Sequence, residues 1–294
     1  MDLNLIRTFV EVVDAGSFVR AAERLNVTQS TVSTRIKELE GQLGRELFAR
    51  NRSGATLTGA GLRFQPHART LLRSLQEARL DVALPERFRA ILTVGAQYSL
   101  WDGLLVDWLM RMTGTRPDVA LRAEVGQPEG LVRQLYEGSL DIGVMYAPQI
   151  RAGLATKHLL TDVLQLVATP DQVARGGAGA GPGSPGYVLV DWGPEFRIAH
   201  DRAFNQTEAP ALAFGLGALA LKYIVEQGGS GYFPQRIAQP SIEAGAMVAV
   251  PDVPEFHRPA FAVFRAADED PVLADALEIM SALAVERLGP VIDP

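Results

Sequence analysis

The residues with the most distinctive chemistry in this 294-residue chain lie between Thr28 and Arg52. At ~100° per residue, a helix over Gln29–Leu43 turns Val32, Ile36, Leu39 and Leu43 to one side and Ser30, Ser33, Thr34 and Lys37 to the other. Thr31 and Glu38 flank that outer face. Small hydroxyls are poor helix formers compared with the Glu, Lys and Arg of an ordinary solvated face. They suit a helix that must sit close against something polar. Gln29, Ser30, Ser33 and Arg35 carry groups able to read base edges, since glutamine pairs bidentately with adenine and arginine with guanine. By helical angle Arg35 lies nearer the apolar stripe than Ser30 or Thr34, which favours a phosphate for it. Lys37, Arg50 and Arg52 match phosphate contacts, whose affinity falls as salt rises.

Other chemistries are poorly represented. There is no cysteine, which excludes disulfides, thiolate metal sites and a cysteine nucleophile. His67, His158, His200 and His257 stand singly, with no metal-ligand spacing. His200 beside Asp201 reads as a surface histidine in preference to a catalytic base. Ser99 lacks a Gly-x-Ser-x-Gly context and reads as a helix cap whose hydroxyl and neighbouring N–H groups hold an anionic or polar ligand, or as a plain cap. The run Gly176–Gly183 has no following lysine and reads as a flexible surface loop, not a phosphate cradle. These features argue against an enzyme and imply no cofactor and no metal.

The elements that position the outer face are short. Leu3, Ile6, Phe9, Val10 and Val13 mark a helix over 3–14. Gly16 suits its left-handed end and Ser17 the cap of the next helix, Phe18 to about Leu25. Asn26-Val27-Thr28 is a turn, with Thr28 capping the third helix. A helix, a three-residue turn and a helix with such a face is a helix-turn-helix arrangement. Gly44 ends it, and Arg45–Leu57 forms a loop or hairpin resembling a wing that projects Arg50 and Arg52. Thr58 caps a long helix to about Leu84. There Phe64, Ala68, Leu71, Leu75, Ala78 and Val82 form a heptad seam expected to pair with a second copy. Pro66 removes one backbone bond within it, and Pro85 stops it.

The formal net charge of −6 conceals an asymmetry. Residues 1–90 hold 14 basic and 10 acidic side chains, and the remainder 14 and 24. From Arg45 to Arg73 six arginines face only Glu46. A basic portion and an acidic portion suggest different tasks, the first on a polyanion.

The remainder alternates strand and helix. Residues 91–96, 119–125 and 139–146 read as strands, separated by helices ending near Met112 and Glu137. This predicts an α/β domain with a mainly parallel sheet. Ligands in such sheets sit beyond strand ends near helix N-termini, here at loops 97–99, 126–128 and 146–149. Tyr98, Ser99, Gln127, Tyr146, Asp191, Trp192 and Phe204 are the candidate effector-binding residues. Tyr98, Tyr146 and Phe204 are either apolar lining or core; Trp192 is a wall or core; Asp191 accepts from a ligand or caps the segment after it. Asp191–Phe196 reads as a loop, Gly215–Gln227 as a helix, Gly228–Pro234 as a turn and strand, 261–265 as a strand, and 271–288 as a final helix. No apolar run reaches the ~18 residues of a membrane span. Met1–Leu5 resembles no signal peptide. A cytoplasmic protein with no membrane partner is expected.

One set of residues matches a known family at many fixed spacings: Phe9-Val10, Gly16-Ser17-Phe18, Ala21–Leu25, Val27–Ser30, Val32-Ser33, Ile36, Leu39-Glu40, Leu43-Gly44, Leu47–Arg50, Leu57-Thr58 and Ala60-Gly61. About 60 contiguous residues thereby resemble the DNA-binding domain of LysR-type transcriptional regulators. Thr31 stands where the family more often has Pro or Ala, and Thr34 where many relatives are basic. The resemblance implies an all-α winged helix-turn-helix at 1–58, a dimerisation helix and hinge at 59–90, and an effector-binding domain at 91–294. That domain would be periplasmic-binding-protein-like, with subdomain I at about 91–161 and 265–294 and subdomain II at about 162–264. Thr28, Gln29, Ser30, Thr31, Ser33, Thr34, Arg35, Lys37, Arg50 and Arg52 become the expected DNA contacts. The implied partners are double-stranded DNA, a small-molecule effector, a homodimer or homotetramer, and RNA polymerase. The alternative is a solute-binding or enzymatic α/β protein with an accessory basic helical domain.

Overall fold

The structure is a computed structural model that describes residues 2–51, 54–148, 152–176, 180–205, 210–268 and 270–288. The chain divides into two compact units, residues 1–86 and 87–294.

In the first unit, α1 (Leu3–Ala15) starts at Asp2, whose carboxylate accepts from Asn4 N at 2.9 Å, and ends at Gly16 with φ 63°. Helix α2 (Phe18–Arg24) follows Ser17, which occupies the cap position without making a side-chain cap bond. Asn26 takes a left-handed φ of 52° in the turn. Helix α3 (Gln29–Leu43) begins at Thr28, whose hydroxyl accepts from Thr31 N at 3.2 Å. The expected wing is an antiparallel hairpin of β1 (Phe48–Asn51) and β2 (Gly54–Leu57), with Phe48 opposite Leu57. Helix α4 (Gly59–Val82) runs without interruption through Pro66, and Thr58 Oγ1 caps it by accepting from Gly61 N at 3.1 Å.

The core of this unit is built on Ile6, Phe9, Val12, Val32, Ile36, Leu39 and Leu47. Ala68 is fully buried in it, and Phe64 packs edge-on against Phe9 with ring centres 5.1 Å apart. The heptad seam is therefore shorter than its spacing predicts. Its first positions are consumed by the unit's own core, whereas Leu71 and Val82 stay exposed.

The second unit opens with β3 (Ala90–Ala96), the short α5 (Tyr98–Leu100), a wide turn at Trp101–Leu105, and α6 (Val106–Thr115). Next come β4 (Val119–Val125), α7 (Pro128–Glu137), β5 (Ile142–Tyr146) and β6 (Leu154–Ala168). Then follow α8 (Pro170–Gly176), β7 (Leu189–Val190), α9 (Pro194–Phe204), β8 (Ala213–Phe214), α10 (Gly217–Gln227) and β9 (Ser230–Pro234). The unit closes with α11 (Gln235–Glu243), β10 (Val248–Ala249), β11 (Phe256–Arg265) and α12 (Pro271–Leu288). Part of the Gly176–Gly183 run lies outside the described residues, but Ala180 is buried and its carbonyl accepts from Ser230 Oγ.

The main sheet is mixed, not mainly parallel. Strand β3 pairs in parallel with β4 and β5, but β11 is antiparallel to both β5 and β6, and β6 is antiparallel to β9 and β10. The cause is the long pair β6 and β11, which run past each other from Leu164 opposite Phe256 to Leu154 opposite Arg265. They carry the chain between two cores. One holds Val94, Leu104, Trp108, Val144 and Met280; the other holds Leu164, Val190, Phe196, Tyr232 and Phe233. On β6 the change of core falls between Leu160 and Leu164, and on β11 between Phe256 and Ala260. Each crossing strand carries a charged residue at its change of core: Asp162 on β6 and, directly opposite in register, Arg258 on β11.

Candidate functional site

On α3, the burial of Val32, Ile36 and Leu39 fixes which side faces outward. Gln29, Ser30, Thr34 and Lys37 are exposed, and Thr31, Ser33 and Arg35 half-buried. The hydroxyls of Thr28, Ser30 and Thr31 bond one another, Thr28 Oγ1 lying 2.8 Å from each of the other two. Arg35 leans toward α1 and donates to Thr8 Oγ1 at 3.5 Å, the orientation its helical angle predicts. Arg50 lies on β1 opposite Ala55, and Arg52 falls outside the described residues. One positioning residue belongs to the family pattern in the sequence but carries no role there. Glu40 Oε1 accepts from Leu47 N at 2.8 Å and Phe48 N at 3.3 Å, tying the root of the wing to α3. That face can hydrogen-bond base edges, and it stands on a rigid apolar base.

In the second unit, loops beyond β3, β4, β5 and β7 surround a cleft of about 760 Å³. Tyr98, Ser99, Gln127, Tyr146, Asp191 and Trp192 all line it. Phe204 does not. It sits at the end of α9, packed on His200 and Tyr232, because the supposed loop Asp191–Phe196 is in fact the entry to a helix. His200, read as a surface residue, is fully buried within that aromatic cluster. Trp192 is both wall and core: it donates to Tyr232 O at 2.7 Å, and its ring presses on Gly217, where a Cβ would lie 2.3 Å away. Asp191 is engaged with Gly193 N at 3.1 Å and with Arg197, the capping alternative. Gln97 Oε1 accepts from Tyr146 N at 2.9 Å and holds the β3 and β5 loops together.

Behind the cleft is a buried polar network that sequence reasoning missed. Asp162, 1% exposed, accepts from Arg236 Nε at 2.8 Å and Nη2 at 2.9 Å, and from the Tyr146 hydroxyl. Arg236, on α11, also donates to Ser99 O at 2.6 Å and to Asp102 O. Burial, reinforced by Asp162, pushes the Tyr146 hydroxyl well above its ordinary pKa, so it stays a donor at neutral pH. Arg258 lines the cleft above Tyr146, its guanidinium carbon 3.7 Å from the ring centre. The only sequence signal for either Asp162 or Arg258 was a charge interrupting an apolar strand. Among the described residues, no cluster of His, Cys, Asp and Glu is arranged to hold a metal ion. No described helix is long and apolar enough to cross a membrane.

Residues 3–62 match the family model described as "Bacterial regulatory helix-turn-helix protein, lysR family", and residues 85–284 match "LysR substrate binding domain". A curated relative, the HTH-type transcriptional regulator HdfR of Yersinia enterocolitica, is 33% identical over 269 residues, 90% of each chain. Among solved structures, full-length CbnR complexed with its target DNA matches with a TM-score of 0.68 and 20% identity, over 96% of this chain and 99% of that one. Full-length LysG of Corynebacterium glutamicum with bound effector Arg matches at 0.54 and 21%, over 99% and 100%. The two structures establish likeness of fold.

Proposed function

This chain belongs to the LysR family of bacterial transcriptional regulators, and from that premise we propose how its parts divide the work. The protein is a ligand-responsive, DNA-binding regulator. The face of α3 enters the major groove, where Gln29, Ser30, Ser33 and Thr34 read base edges and Thr28 and Thr31 shape the start of the helix. Arg35, Lys37, Arg50 and Arg52 hold phosphates. The exposed remainder of the α4 seam joins two copies, and two such dimers assemble as a tetramer on neighbouring half-sites. The cleft holds a small effector by way of Tyr98, Ser99, Gln127 and Tyr146, with Trp192 as a wall. We place the return boundary between subdomains near residue 258 instead of 265, because Ala260 and Ala262 pack in the first core. RNA polymerase is the downstream partner, the compartment is the cytoplasm, and no step is enzymatic.

The observation that carries this reading is the outward face of α3, where Gln29, Ser33, Thr34 and Lys37 make no side-chain bond among the described residues. Gel-shift titration tests it, using genomic fragments retained by the purified protein. Ser33→Ala with Arg52→Ala is expected to abolish specific retention. Lys37→Ala should weaken all sequences alike and lower the salt slope by about 1. Unchanged binding by the double variant would mean that another surface reads the DNA.

A further inference from the structure

Of the charged side chains that line the cleft, Arg258 is the buried one, and the described residues offer it no hydrogen bond or ion pair. Arg258 is 9% exposed and stands opposite Asp162 on the paired strand. Asp162 is already committed to Arg236 and to the Tyr146 hydroxyl. What remains for Arg258 is the face of the Tyr146 ring. Among the described residues its guanidinium makes no hydrogen bond and no ion pair. Glu195, which also lines the cleft, is exposed and does not pair with it. Arginine remains protonated in proteins and offers five donors in a rigid fork. Burying such a group without an acceptor is costly. That cost makes sense where a bound anion removes it.

The backbone around the guanidinium points the same way. Helices α7, α9 and α10 all begin at the cleft, after Gln127, Gly193 and Leu216, and none of these residues makes a side-chain cap bond. First-turn N–H groups have no partner within a helix and carry the positive end of its dipole. Gly193 brings the start of α9 to the guanidinium, since a Cβ there would lie 3.7 Å from Arg258 Nη2. Among the described residues, Glu129, Glu137, Asp191 and Glu195 also line the cleft, against Arg133 and Arg258. That balance disfavours a doubly charged group such as phosphate.

We infer that the effector carries a carboxylate, seated between the Arg258 guanidinium and the N-terminus of α9 above the Tyr146 ring. This rests on the reading of the cleft as the effector site. The volume suits a metabolite-sized molecule, and the fork of Arg258 gives the carboxylate a bidentate partner.

Thermal melting and calorimetry of the full-length protein and of Arg258→Met test this. The compounds are small metabolites grouped as carboxylates, phosphate esters, neutral polar molecules and amines, with benzoate, benzamide, benzylamine and inorganic phosphate as matched references. Stabilising compounds should be carboxylates, binding Arg258→Met at least tenfold more weakly. The ligand-free variant should melt no lower than the parent, because an unanswered buried charge has been removed. Hits among the other classes, or carboxylates that bind the variant equally well, overturn the carboxylate assignment and leave the effector cleft standing. A variant that melts several degrees lower with carboxylate affinity intact makes Arg258 a structural residue. Failure of every class to bind the parent overturns the cleft reading along with it. If Arg258→Met does not fold, Arg258→Lys keeps the charge, loses the fork, and should show the same tenfold loss.

Discussion

At the scale of single residues, His200 shows how far burial can change a side chain's role. Its Nε2 lies 2.7 Å from the Tyr187 hydroxyl, and Phe196, Phe204, Tyr232 and Phe256 surround the ring. Burial pushes its pKa below the ordinary value, and Asp201, 3.5 Å from Nδ1, offsets this only in part. In the unfolded chain the imidazole takes up a proton near pH ~6.5. Below that pH the unfolded state binds more protons than the folded one, so stability falls as pH drops and is fully present above it. Thermal melts between pH 7.5 and 5 should therefore show a decline to which this group contributes. His200→Gln keeps a partner for Tyr187 and should flatten that slope; an unchanged slope would assign the decline to other groups. In the sequence the immediate neighbours of His200, Ala199 and Asp201, suggest a surface residue. The relevant neighbours were Phe196 and Phe204, one helical turn away on either side.

Elements were legible where their burial pattern was simple. The three helices of the reading head, the wing and the strands around Val94, Leu121 and Val144 follow from apolar periodicity and caps. Helix α9 was missed because its inward face mixes Phe196 with His200, and α11 because Pro240 lies inside it. The sequence shows only half of strand β11, because the strand contains Arg258 and Pro259 beside a shift in pairing register at Ala260 and Phe261. A more specific constraint concerns how α4 meets the wing. A Cβ on Gly61 would lie 2.2 Å from Leu47 O and 2.7 Å from Leu57 Cδ2, and a backbone carbonyl cannot move aside without moving the hairpin. Gly61→Ala should lower stability by about 1–3 kcal/mol, the usual cost of overpacking, and weaken DNA binding with it. Denaturant melts of this variant beside Gly41→Ala, where nothing lies within 4 Å, check the assignment. On the same helix, Leu71 and Val82 are exposed. Leu71→Asp should shift sedimentation toward monomer while the circular dichroism of the helix is retained.

At the scale of the whole second unit, the crossing strands and the network beside them tie its two cores together. The two cores are joined by β6 and β11, and Arg236 fastens α11 to Ser99 O and Asp102 O through its bond with Asp162. The sequence groups Ser99 with Tyr146 at neighbouring strand ends, but Asp102, Asp162 and Arg236 join them only through the antiparallel β6 and the packing of α11. Removing one member leaves a buried charge without its partner, so Arg236→Met alone should cost about 3–5 kcal/mol. Replacing both partners, as in Asp162→Leu with Arg236→Met, should cost much less than the sum of the single changes, since apolar substitutes for a buried pair are often tolerated. Denaturant melts of the two single variants and the double variant give that coupling directly. The double variant also separates stability from signalling. A ligand shifts an equilibrium only by its difference in affinity for the two arrangements, and moving it from 1:99 to 99:1 takes a preference of about 10⁴. If Arg236 holds one arrangement of the subdomains in place, the repaired double variant should still fold and bind operator DNA. Its hydroxyl-radical footprints with and without a bound carboxylate should then converge. Footprints that differ as much as those of the parent would show that the network supports the fold and takes no part in the response, leaving the crossing strands as the element through which the ligand acts.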